Sequence, residues 1–140
     1  MNEIYFVVKG KAQPKQRPRF SNGHTYTPKP TLDYEKKIRE AYLSEDFERL
    51  SGPLEMVLNF YFEIPKSTPK KLRDQMLIAK IRPTKRNGDV DNLFKVVADA
   101  LNDVAYDDDA QIVQATVNKW YGREPLVEIS IRSLADGREG

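Results

Sequence analysis

In Leu54-Glu55-Met56-Val57-Leu58-Asn59-Phe60-Tyr61-Phe62-Glu63-Ile64, apolar side chains return at every second position, which puts Leu54, Met56, Leu58, Phe60 and Phe62 on one face. A period of two is that of a β-strand with one face in a core. Gly52-Pro53 breaks whatever precedes it. Upstream, Glu3 to Lys9 reads as another strand, rich in aromatic and β-branched residues. Thr31 is placed to cap a helix over Leu32 to Arg49, with Tyr34, Ile38, Tyr42 and Leu43 along one side. Lys11 to Pro30, with Pro14, Pro18, Pro28 and Pro30, reads as a loop. A loop of that length in a compact domain is usually functional or disordered. Its bases and aromatics (Arg17, Arg19, Phe20, His24, Tyr26) favour function.

Downstream, Thr68 to Ile78 is expected as a basic helix, led by Ser67/Thr68-Pro69 as cap and first turn. Ile81 to Gly88 is a basic linker. Asp91 to about Val104 forms a third helix, with Leu93, Phe94, Val97, Leu101 and Val104 as its apolar stripe. Gln111 to Tyr121 and Leu126 to Arg132 read as strands, turning inward Val113, Ala115 and Val117, then Val127, Ile129 and Ile131. Their short connection, Gly122-Arg123-Glu124-Pro125, predicts a β-hairpin. The order β-α-β-α-α-β-β predicts an α/β (α+β) single domain over residues 1–133. It has a small mixed sheet packed by helices mainly on one face, followed by a frayed tail at 134–140.

The chain of 140 residues is long enough for one hydrophobic core without staples. With 39% hydrophobic and 31% charged residues it has the composition of a soluble globular protein. The absence of cysteine excludes disulfides, thiolate zinc sites and a cysteine nucleophile, and agrees with a cytoplasmic protein. Met1 to Val8 is too short and too acidic for a signal peptide, and no apolar run approaches the roughly 20 residues of a membrane span. His24, the only histidine, lies in a proline-bounded loop without a nucleophile elbow and reads as a surface residue rather than part of a serine-type hydrolase.

The net charge is only +2, but its distribution is uneven. Lys9 to Lys37 carries Lys9, Lys11, Lys15, Arg17, Arg19, Lys29, Lys36 and Lys37 against Asp33 and Glu35. Lys66 to Arg86 carries Lys66, Lys70, Lys71, Arg73, Lys80, Arg82, Lys85 and Arg86 against Asp74 alone. From Asp99 to Asp109 the sign reverses. Such a pattern fits either a solvated mixed-sign surface or a polyanion partner held by bases against an acidic centre.

The acids themselves stand in Asn87-Gly88-Asp89-Val90-Asp91-Asn92-Leu93-Phe94-Lys95 and Tyr106-Asp107-Asp108-Asp109-Ala110-Gln111. Asp89 and Asp91, two apart in extended backbone, leave the same face. One reading makes Asp91 a helix cap and Asp89 a dipole partner. The other makes them ligands. Asp91, Lys95, Asp99 and Asp103 share one side of the helix, where i,i+4 ion pairs are each worth about 0.2–0.5 kcal/mol. Should the two clusters meet, carboxylates without thiolate or imidazole would favour a hard cation such as magnesium. A pair of such ions about 3.5–4 Å apart would suit an in-line displacement at phosphorus.

Asp89-Val90-Asp91-Asn92-Leu93-Phe94-Lys95, then Asp99-Ala100-Leu101-Asn102, then Asp108-Asp109-Ala110-Gln111 closely resembles the RusA family of Holliday-junction resolvases. Those are small homodimeric, magnesium-dependent endonucleases, often carried by prophages. The order Asp-x-Asp-Asn-x-x-Lys, Asp-Ala-Leu, Asp-Asp-x-Gln is specific as a set. The loop from Lys9 to Pro30 and the closing strands extend the likeness over most of the chain.

The resemblance implies a magnesium site, with manganese as a substitute, on Asp89, Asp91 and Asp109. Asp108 is the weaker candidate and Asp107 an extra neighbour. It implies Lys95 as the catalytic lysine, Asn92 as support or cap, and Asp99 as a structural residue or ion-pair partner of Lys95. The expected activity is resolution of four-way DNA junctions by paired symmetric nicks in recombination and repair, by a cytoplasmic homodimer with no membrane part. Lys15, Arg17, Arg19, Lys70, Lys71, Arg73, Lys85 and Arg86 are the candidate phosphate contacts. Phe20, Tyr26 and Trp120 are available for stacking or as filler. A non-catalytic branched-DNA-binding module and a fork or flap nuclease are the rival expectations. An aspartate-phosphorylated regulatory domain would need a parallel doubly wound sheet, which the closing strands oppose.

Overall fold

The computed structural model of the chain describes residues 3–84 and 88–134. Its centre is the strand from which the sequence was read, Leu54–Glu63. Around it lie three other strands, Glu3–Lys9 (β1), Ile112–Gly122 (β5) and Leu126–Ser133 (β6), with Leu54–Glu63 as β4. The sheet order is β1-β6-β4-β5. β6 pairs antiparallel with both β1 and β4, and β5 pairs parallel with β4. The alternation then places one apolar side chain beside the next across the strands. Phe6 lies opposite Ile129, and Ile129 opposite Leu58, all of them buried.

Two helices cover that face: α1, Lys29–Leu43, through Tyr34, Ile38 and Tyr42, and α3, Val90–Leu101, through Leu93, Val96, Val97, Ala100 and Leu101. The third helix, α2, Lys70–Leu77, buries Met76. This is the expected mixed α+β single domain, with its elements in the expected order. Removing a fully buried side chain such as Leu58 would cost about 2–5 kcal/mol. Among the described residues no helix is long and apolar enough to cross a membrane.

Four local expectations are corrected. The strands β5 and β6 do not form a hairpin, because β4 lies between them and pairs with both. β4 carries the longest run of fully buried side chains and so takes the centre, leaving β5 an edge strand whose Val113 is 63% exposed. The Lys11–Pro30 stretch is not all loop. Arg19–Ser21 (β2) and His24–Tyr26 (β3) form a two-stranded ribbon closed by Asn22 and Gly23, whose φ values of 53° and 78° are those of a type I′ turn. α1 starts at Lys29, with Pro28 rather than Thr31 at the cap, and ends at Leu43. Beyond it the chain turns so that Phe47 packs on Phe6 and Tyr42, with ring centroids 6.1 and 5.5 Å apart. Finally, α3 begins one residue early, with Asp89 and not Asp91 at the cap position.

Candidate active site

The N-terminal end of α3 is fixed by its neighbours rather than by its own side chains. The first helical bond runs from the Leu93 N–H to the Asp89 carbonyl, 3.0 Å. Gly88, at φ +87°, admits the chain to the helix against the Pro14 ring, where a Cβ would stand only 2.8 Å from Pro14 Cβ. The Lys15 N–H donates to the Asn92 carbonyl at 2.9 Å. From the sheet, Lys119 Nζ donates to the Gly88 carbonyl at 2.8 Å.

Asp89 occupies the cap position, yet its side chain makes no capping bond, and Asp91 lies in the first turn. Among the described residues neither carboxylate has an ion-pair partner. The cap reading of Asp91 therefore fails, and two carboxylates face solvent beside the unpaired N–H groups of a helix start. Lys95 is exposed one turn further on and likewise has no ion-pair partner among the described residues. Its expected partner Asp99 is taken by another amine.

That amine is Lys15. Its Nζ lies 2.7 Å from Glu35 and 3.0 Å from Asp99, and its side chain is only 18% exposed. Burial alone would lower the Lys15 pKa, but the hydrogen bonds it donates to Glu35 and Asp99 outweigh that and raise it. Lys15, read from sequence as a phosphate contact, thus sits locked between α1 and α3. Gln16 continues the anchorage, its N–H donating to Thr31 Oγ1 and its Oε1 accepting from the same hydroxyl, each at 3.3 Å.

The second acidic cluster resolves into three separate environments. Asp107 is bound by Arg49 Nη1 at 2.7 Å, and the same nitrogen meets Asp103 at 3.2 Å. Asp108 caps the short turn of 3-10 helix at Asp109–Gln111, its Oδ1 accepting from the Ala110 N–H at 3.0 Å. Gln111 closes this capping box, accepting from the N–H groups of Asp107 and Asp108 and donating to the Gly52 carbonyl. Asp109 is held by its backbone, whose N–H donates to Asn102 Oδ1 at 2.8 Å. Its carboxyl pKa is raised, first by burial and then by the neighbouring Asp108 and Asp99 carboxylates.

Among the described residues no three acids converge to hold an ion. Asp109 stands beside Asp99, which lies eight residues, or about 12 Å of helix, beyond Asp91.

Of the candidate phosphate contacts, Arg17, Arg19 and Lys71 are exposed, while Lys70 pairs with Asp74 at 3.0 Å. Arg73 donates to the Pro65 and Lys66 carbonyls. Lys85 and Arg86, with Asn87, lie outside the described residues, as does the tail 135–140. Trp120 is a strut: its indole N–H donates to Asn59 at 2.9 Å, and the Arg82 guanidinium lies 3.7 Å from the ring centroid.

Sequence reasoning missed Lys119 and Glu35. Lys119 continues the inward phase of Ala115 and Val117 along β5, so a charge in an apolar alternation was the available signal. Glu35 is a buried acid beside the core residue Tyr34.

The family model described as Endodeoxyribonuclease RusA matches residues 9–132. The chain is also 35% identical over 142 residues to Uncharacterized protein YqaN of Bacillus subtilis (strain 168), covering 96% of this chain and 99% of that protein. The family match runs from the end of β1 to within a residue of the end of β6 and takes in both acidic stretches, so the chain belongs to the RusA family of endodeoxyribonucleases.

Proposed function

We propose that this protein is a magnesium-dependent endodeoxyribonuclease that resolves four-way DNA junctions by paired symmetric nicks, acting as a cytoplasmic homodimer in recombination and repair. The observation that carries this reading is the open N-terminal end of α3. There, among the described residues, Asp89 makes no side-chain capping bond and neither Asp89 nor Asp91 has an ion-pair partner, one turn from an exposed Lys95.

The donor chemistry fits a hard cation: oxygen ligands, with no thiolate in the chain and the only imidazole on the β3 strand. Magnesium keeps several waters and needs only one or two protein carboxylates, so Asp89 and Asp91 would suffice to hold it. Asp109 is the third family acid, and its share in the site is for mutation to decide. When bound, the cation polarises water and offsets charge on phosphoryl oxygens.

The chain's own residues supply the rest. The unpaired N–H groups of the first α3 turn favour an anion at that position. The Lys95 ammonium stabilises negative charge as it grows on the scissile phosphate. Lys119 and Pro14 hold Gly88, and with it the approach to Asp89, in one conformation. A two-fold dimer on a two-fold junction would present one such site to each of two equivalent strands.

The test is cleavage of a labelled mobile four-way junction in magnesium and in chelator, beside a flap of the same sequence. Paired nicks in magnesium alone are expected. Cleavage of the flap but not the junction would make the protein a flap nuclease. Junction binding without any cleavage would make it a recognition module.

A further inference from the structure

We propose that the β2–β3 ribbon is a wedge that stacks the Phe20 ring on a base laid bare at the branch point of a DNA junction. This rests on the junction reading above and adds a residue and a contact to it.

All six strand residues of the ribbon are exposed, and Phe20 at 73% is the most exposed large hydrophobic side chain among the described residues. Cross-strand pairing sorts the side chains. Arg19 lies opposite Tyr26 and Ser21 opposite His24 on one face, while Phe20 shares the other face only with Thr25. The ring therefore stands out from the ribbon beside a small neighbour. A free two-stranded ribbon is marginal in water, so its root must be held.

Four contacts at the root lead to the helices of the candidate site or to the residue that enters one. Pro14 packs on Gly88, the Lys15 backbone bonds to Asn92, the Lys15 ammonium bonds to Glu35 and Asp99, and Gln16 bonds to Thr31. From Gln16 to Phe20 the chain can reach at most about 14 Å, four residues at about 3.3–3.6 Å each. That span is about four nucleotides of one strand. A phosphate at Asp89 and Asp91 therefore puts nearby bases within reach of the ring.

Charge chooses the occupant. No acid lies between Lys9 and Asp33, and Arg17 and Arg19 flank the ring, so a polyanion is matched and an acid-poor protein surface is not. Stacking on an aromatic ring accepts any base, as a structure-selective enzyme requires. Unstacking costs least where pairing is already interrupted, which is the branch point.

The experiment is permanganate probing of thymines at the branch point, in chelator to prevent cutting, with wild type, Phe20→Ala and Phe20→Trp. Junction and duplex affinity and sedimentation are measured in parallel. Wild type should make branch-point thymines reactive. Phe20→Ala should abolish that reactivity and reduce the junction-over-duplex preference about 10-fold, the size of one lost base stack. Phe20→Trp should restore both. Unchanged reactivity and preference in Phe20→Ala would overturn the wedge alone. Loss of the oligomer in Phe20→Ala would instead assign the ring to a second copy of the chain and overturn it too. A wild type that neither binds nor cuts junctions would remove the junction reading and the wedge together.

Discussion

The acids near the end of α3 outnumber those near its start, and the two groups differ in what surrounds them. Beyond its end, Asp103 and Asp107 are bound by Arg49, and Asp108 caps the turn that follows. Asp99, within its last turn, is bound by Lys15. At its start, Asp89 and Asp91 have no ion pair among the described residues, and the nearby Lys119 amine is directed to a backbone carbonyl instead of either carboxylate. Among the described residues, then, the protein's own bases Arg49 and Lys15 pair with one group of acids and not with the other. Carboxylate density is thus a poor guide to function here. Whether protein donors already engage the carboxylate is the better one.

The sharpest way to break that contrast is to neutralise one acid from each group. Asp91→Asn should lower junction cleavage by more than about 100-fold, the usual scale for removing a group that acts on transition-state charge. Junction binding should be kept, since most of the candidate phosphate contacts lie outside α3. Asp107→Asn should leave cleavage within about 2-fold and change stability by no more than the ~1 kcal/mol of an exposed ion pair. Comparable losses of activity in both variants, measured on the same labelled junction, would erase the distinction between the two groups.

A second test separates the two kinds of base within one loop. Lys15→Met leaves Glu35 and Asp99 without their cation in a largely buried site, and should cost about 2–4 kcal/mol in urea unfolding. The raised Lys15 pKa means that its contribution to stability is complete below the ordinary value of 10.5 and lost only as pH rises through the folded one. The deficit should therefore be flat across neutral pH. Arg17→Met, at an exposed position, should change stability by less than about 0.5 kcal/mol. It should instead reduce the salt slope of junction binding by about 1. The opposite assignment, a stability loss at Arg17 and a slope change at Lys15, would return Lys15 to the DNA surface.

Most of the fold was legible because its strands and helices carry unmixed periods. The alternation of β4 and the apolar stripe of α3 each admit one reading, and each element lies within three residues of its expected bounds. The β5–β6 connection misled because adjacency in sequence is only a prior for pairing, and the few residues at 122–126 suffice to pass the end of β4. The ribbon was hidden by the prolines around it. Asn22-Gly23 is the strongest short hairpin signal there is, but its strands lack the apolar alternation that would have called attention to it.

At the site, the motif located the acids and the structure sorted them. That sorting depends on Arg49 meeting an acid 58 residues away and on Lys15 meeting one on each of two helices. Neither contact leaves a trace in local spacing.

Asp109 falls between the two groups, and the smallest expected effect concerns it. Its carboxyl holds a proton more tightly in the folded chain than in the unfolded one, through burial first and then through Asp108 and Asp99. For such a group the favourable contribution to folding is present below its ordinary value of 3.8 and is lost as pH rises through the raised folded value. At neutral pH the ionised side chain therefore opposes folding. An amide carries no charge, so in chelator Asp109→Asn should melt higher than wild type at neutral pH. The gain should shrink as pH falls through the raised folded value and be gone below the ordinary 3.8, where the group is protonated in both states. Paired melting curves at pH 7 and pH 4 decide it. A gain that survives acidification would come from packing rather than charge, and a loss at neutral pH would mean that Asp109 is engaged by the fold as fully as Asp107.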